Sequence, residues 1–61
     1  MEELREKFLG AYADVPSPLR KEIIALIDGK TYTWDSVYFE VEGNTELSKK
    51  LLNTLSDLGI V

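Results

Sequence analysis

The chain has 61 residues, 11 acidic against 7 basic for a net charge of −4, and neither Cys nor His. That length is one small domain, 1–61, and a hydrophobic content of 44% suits a folded one. Disulfides, thiolate or imidazole metal ligation and imidazole-activated nucleophiles are all excluded, and an excess of acid opposes broad attraction to nucleic acid or anionic membrane.

Residues 2–13 are predicted to form the first helix. Leu4, Phe8, Ala11 and Tyr12 recur at i, i+4, i+7 and i+8 and make one apolar stripe. Glu3 and Lys7 stand four apart in the favourable order. Pro16 and Pro18 then end the helix, because each ring restricts the residue before it to extended or turn backbone.

Ser17-Pro18 reads as a second helix start, with Ser as cap and Pro at the first helical position. Leu19, Ile23, Leu26 and Ile27 fit a buried stripe over 18–28, widened by Ile24, and Gly29 fits the left-handed end.

Segment 30–43 admits two readings. Trp34, Val37, Tyr38 and Val41 fit helical spacing, with Thr33 as cap, Asp35 in the first turn and Gly43 at the end. The rival is a hairpin pairing 30–34 with 37–42 around Asp35-Ser36, favoured by the Thr, Tyr, Trp, Val and Phe content. Against it, Asp-Ser lacks the Gly or Asn that a two-residue loop prefers.

The last helix starts at Asn44 or Thr45. Leu47, Leu51, Leu55 and Leu58 form its stripe with Leu52 alongside, Glu46 and Lys50 are an i,i+4 pair, and Gly59 ends it. Ile60 follows where it can fold back on the final turn. The expected fold is an all-α domain of three to four helices, the alternative being α+β with a hairpin at 30–42 packed on three helices. The expected core is Leu4, Phe8, Tyr12, Leu19, Ile23, Leu26, Ile27, Trp34, Val37, Leu47, Leu51, Leu55 and Leu58.

Two features point to function. Four of the six aromatics, Tyr32, Trp34, Tyr38 and Phe39, lie within eight residues. On a helix from 34, Phe39 points roughly 140° away from Trp34. One face therefore cannot bury all four, and either Phe39 or Tyr32 is left partly exposed. Aromatics of this kind dominate binding hot spots, so Tyr32, Trp34, Tyr38 and Phe39 are the candidate partner-binding residues. Arg20 and Lys21 fall in the first turn of the second predicted helix, where the dipole prefers acids. They are candidate contacts for an anion or an acidic partner.

The carboxylates show no calcium-loop spacing, the glycines form no phosphate loop, and no cofactor or metal is expected. The longest uninterrupted apolar run, Ile23 to Ile27, is far short of the ~20 residues that span a bilayer. The first residues are acidic, no signal peptide is expected, and cytoplasm is the default location.

The stretch Leu51-Leu52-Asn53-Thr54-Leu55-Ser56-Asp57-Leu58-Gly59-Ile60-Val61 resembles the end of the recognition helix in winged helix-turn-helix domains. The resemblance implies a base-reading face of Lys49, Asn53 and Ser56, with a β-wing following Val61. The charge departs from it: residues 31–61 hold five acids against two bases, and Glu46 sits on the same face. The reading favoured by the residues is a non-catalytic protein-interaction module, one form of it a homodimer through the aromatic segment. The alternative is a helix-turn-helix-like nucleic-acid binder lacking a wing.

Overall fold

Three helices and one antiparallel hairpin follow one another in the computed structural model, which describes residues 2–61; Met1 lies outside the described residues. Helix α1 spans Glu2–Asp14, a short 3-10 turn Ser17–Lys21, strand β1 Ile23–Ile27 and strand β2 Lys30–Thr33. Helices α2 (Trp34–Gly43) and α3 (Glu46–Asp57) complete the chain. Each helix touches the other two, and the hairpin rests on α3 through β1 and on α2 through β2.

The helix expected over 18–28 does not form. Ser17 and Pro18 initiate only the 3-10 turn, which has Pro16 at its cap position and no side-chain cap. Residues 23–27 run on as a strand. The physical reason lies at Asp28 and Gly29, whose φ values are 52° and 78°. A two-residue type I′ loop requires positive φ at both central residues, and Asp-Gly meets that requirement at least strain. Gly29 is therefore the second residue of a hairpin loop rather than a helix end. The run Ile-Ile-Ala-Leu-Ile is apolar at every position, so it satisfies a helical stripe and a strand alike. The loop decides between them. Thr31, Tyr32 and Thr33 are strand formers that supply the partner.

The all-α expectation is corrected accordingly, and so is the 30–42 hairpin. Residues 30–33 do form a strand, but its partner precedes it. Ile27 pairs with Lys30, Leu26 with Thr31, Ala25 with Tyr32 and Ile23 with Thr33, with an irregularity between Ile23 and Ala25. That bulge turns Ile24 and Ala25 both toward the helices and leaves Ile23 and Leu26 on the outer face.

The helical reading of 34–42 holds. The Thr33 side chain accepts a hydrogen bond from the Ser36 amide at 3.1 Å, the cap expected there. Thr33 is thus both the last residue of β2 and the cap of α2. The helix ends one residue later than expected: Gly43 is still helical, and Asn44 takes the left-handed position at φ 51°. Thr45 caps α3, accepting from the Ser48 amide at 3.1 Å and donating to Glu40 Oε1 at 2.7 Å. At the other end Ile60 N–H bonds Leu55 O at 2.9 Å and Gly59 N–H bonds Ser56 O at 3.0 Å, the paired bonds of a Schellman end.

The core is Phe8 from α1, Ala25 and Tyr32 from the hairpin, Val37 and Val41 from α2, and Leu51, Leu52 and Leu55 from α3. Leu4, Tyr12, Ile27, Trp34 and Leu47 pack around it, half-buried. Four expected core residues, Leu19, Ile23, Leu26 and Leu58, are exposed. The helical stripe over 18–28 places three of them inward; Ile23 and Leu26 instead face out from a bulged strand, and Leu19 sits in the 3-10 turn, which has no buried residue. Leu58 lies one residue beyond α3, past the last position that faces the core. Ser48 is the one buried polar residue among those described, and its hydroxyl donates to Thr45 O.

Candidate functional site

The four candidate aromatics separate into two groups. Tyr32 faces inward from β2 and is 7% exposed, cross-strand from Ala25. Trp34 and Tyr38 lie on the side of α2 that meets α1. There they join a continuous stack: Trp34 on Phe8 at 5.7 Å between ring centroids, Phe8 on Tyr12 at 6.0 Å, and Tyr12 on Tyr38 at 4.2 Å with planes 10° apart. Phe39 points the other way and is 75% exposed.

The polar tips of the stack are tied down. Tyr12 Oη donates to Asp35 Oδ1 and Tyr38 Oη to Glu42 Oε1, each at 2.7 Å. Those carboxylates hold the protons on the phenols. The hydrogen bond to Asp35, then burial, raises Tyr12 above its ordinary 10.0, and the bond to Glu42 does the same for Tyr38. Both phenols are therefore neutral at physiological pH.

Arg20 closes the stack. Its guanidinium carbon sits 4.2 Å over the Tyr12 ring. Its Nε donates to Val15 O at 3.0 Å and its Nη2 to Tyr12 O at 3.3 Å. The surplus donor seen in the sequence thus caps the carbonyls at the end of α1. Lys21, the next residue, is exposed.

Phe39 borders an open groove of about 360 Å³ between β2 and α2. Lys30, Thr31 and Tyr32 form one wall, and Asp35, Phe39 and Glu40 the other. Both of its acids are engaged elsewhere: Asp35 accepts from Tyr12, and Glu40 accepts from Thr45, each through one oxygen. What remains for a ligand is an aromatic face, a Thr hydroxyl, the Lys30 ammonium and the second oxygen of each acid. That set suits a side chain or a peptide backbone. Among the described residues no group of three potential ligands gathers to hold a metal ion.

Thr31, on the groove wall, is also the cross-strand neighbour of Leu26. The outer face of the hairpin therefore carries Leu26, 64% exposed, and Ile23, 61% exposed, beyond the groove. Sequence reasoning assigned these two inward. Asp-Gly between two apolar or β-branched runs was the signal that places them outside.

The face implied by the helix-turn-helix resemblance is only partly free. Asn53 is exposed, Ser56 is half-buried, and Lys49 Nζ pairs with Glu46 Oε1 at 3.3 Å. Comparison with known protein families, with curated proteins and with solved structures finds no match to this chain. Among the described residues no helix is long and apolar enough to cross a membrane.

Proposed function

We propose that this protein is a non-catalytic protein-interaction module, and that it takes a peptide segment of a partner along the groove beside Phe39. The supporting observation is the exposure of Phe39: the stack binds Trp34 and Tyr38, the core takes Tyr32, and Phe39 stands at a groove wall without a companion. An aromatic ring gives a large contact area at low rotamer cost, and desolvating it against a partner side chain is how binding hot spots form. Lys30 on the groove wall adds a charged donor for a carbonyl or a carboxylate of the bound segment.

The nucleic-acid alternative has weaker support, because Lys49 is neutralised by Glu46 and the net charge is −4. Selection of peptides from a random library on the folded protein, with the Phe39→Ala variant as counter-selection, tests the proposal. Peptides that lose at least about tenfold in affinity on Phe39→Ala are expected, a loss of about 1.4 kcal/mol. A library yielding no binder, or binders indifferent to Phe39→Ala, overturns it. A duplex retained at low salt would favour the alternative instead.

A further inference from the structure

We infer that the segment the groove takes is basic, and that an arginine of that segment lies on the Phe39 ring with its guanidinium turned to Asp35 and Glu40. The inference rests on the groove reading above and adds the chemistry of the partner.

Phe39 is the exposed ring of the groove, and both charged residues that line the groove from α2 are acids. Asp35 stands four residues before Phe39, a neighbour on the helix surface, and Glu40 follows it directly. Each carboxylate is oriented from inside the chain. Asp35 Oδ1 accepts from Tyr12 Oη and Glu40 Oε1 from Thr45 Oγ1, both at 2.7 Å. These donors are neutral hydroxyls, so they position the carboxylates without cancelling their charge. Among the described residues neither acid forms an ion pair, and Asp35 Oδ2 and Glu40 Oε2 accept no hydrogen bond. The cations that do pair, Arg5 and Lys49, are taken by Glu42 and Glu46. Lys30, on the facing wall, lies over the Tyr32 ring at 5.6 Å rather than on either acid.

The occupant follows from charge. An open aromatic face beside two uncompensated carboxylates attracts a cation. Arginine fits it better than lysine. A planar guanidinium stacks on a ring while its edge donates to carboxylate oxygens, and it is more weakly hydrated than an ammonium. Because the acceptors are already held, binding does not have to order them. The net charge of −4 attracts a basic segment at longer range and repels an acidic one. Lys30 repels a second cation from the β2 wall, which places the arginine against α2.

The probes are N-acetylated, C-amidated peptides selected on the folded protein and rejected by its Phe39→Ala variant. Each arginine in them is replaced in turn by citrulline, which keeps the shape and removes the charge. Enrichment of arginine is expected, with one position losing at least about tenfold in affinity on replacement. Asp35→Asn and Glu40→Gln retain acceptors for Tyr12 and Thr45. Combined, they are expected to weaken the arginine peptide about tenfold, with the circular dichroism unchanged. Asp57→Asn, at an exposed acid of α3 outside the groove, is expected to change its affinity by less than about twofold.

Phe39-dependent binders that lack arginine, or that tolerate citrulline at every position, overturn the inference and leave the groove reading standing. Arginine binders weakened as much by Asp57→Asn as by the groove pair overturn it as well, because attraction to net charge alone then accounts for them. A library without any Phe39-dependent binder overturns both.

Discussion

The side of the molecule where α1 meets α2 and the outer side of the hairpin are built from similar residues to opposite ends. On the first, four rings pack in sequence, an arginine covers Tyr12, and two carboxylates hold the phenol protons. On the second, Ile23 and Leu26 are exposed, as is Phe39 of α2 across the groove beside β2. A chain this small buries only about 60% of the surface its unfolded form exposes, so each large side chain put inside matters. Aromatic content alone does not mark a binding surface. What separates the two sides is whether each ring already has its neighbours and its polar tip a partner.

The sharpest test of that contrast is a pair of phenylalanines. Phe8→Ala removes a side chain with zero exposure that both Trp34 and Tyr12 stack upon, and it is expected to cost about 3–5 kcal/mol. Against a total of roughly 3–9 kcal/mol for a chain this size, that leaves the variant largely unfolded in thermal or urea melts. Phe39→Ala is expected to change stability by less than about 0.5 kcal/mol, as exposed sites do. Equal losses would erase the distinction between the two sides.

Smaller effects sharpen it. Gly29→Ala puts a Cβ at φ 78°, with open space around it, so the cost is backbone strain alone, about 1–2 kcal/mol, read as a lower urea midpoint. Thr45→Ala removes the cap oxygen from the Ser48 amide and is expected to cost about 1 kcal/mol in the same assay. The pH dependence is directional. Tyr12 and Tyr38 both have folded values raised above 10.0, so their contribution is complete below pH 10 and is lost as pH rises through the folded values. Melts are expected to show no loss from these groups between pH 6 and about 9 and a decline in strongly alkaline buffer, with ultraviolet titration placing both phenols above free tyrosine.

The sequence revealed the helices on either side of the hairpin and hid the hairpin itself. Leu51, Leu52 and Leu55, capped at Thr45 and closed at Gly59, leave little choice, because spacing, cap and terminus agree. The same holds for Val37 and Val41 behind Thr33. Residues 23–27 carry no such agreement: five consecutive apolar positions satisfy either period, and Ser17-Pro18 was a plausible start for a helix that the loop at 28–29 forbids. Of the site, the expectation that Phe39 or Tyr32 must be left out was legible from the angle between Trp34 and Phe39 on one helix. Which of them it was depended on β2 pointing Tyr32 inward, and that required the unseen partner strand. Arg20 was visible as a misplaced charge, but its seat over Tyr12 depends on the chain doubling back after Pro16, a tertiary event without local signature.

Thr33 belongs to two elements at once, and this makes the junction between hairpin and α2 rigid. No loop residue stands between them to absorb rotation, so a force that shifts β2 also withdraws the oxygen that satisfies the Ser36 amide. Binding in the groove beside β2 is therefore expected to change the protection of that amide. The exchange rate of that single amide proton is then a gauge of strand occupancy built into the backbone, readable without a label.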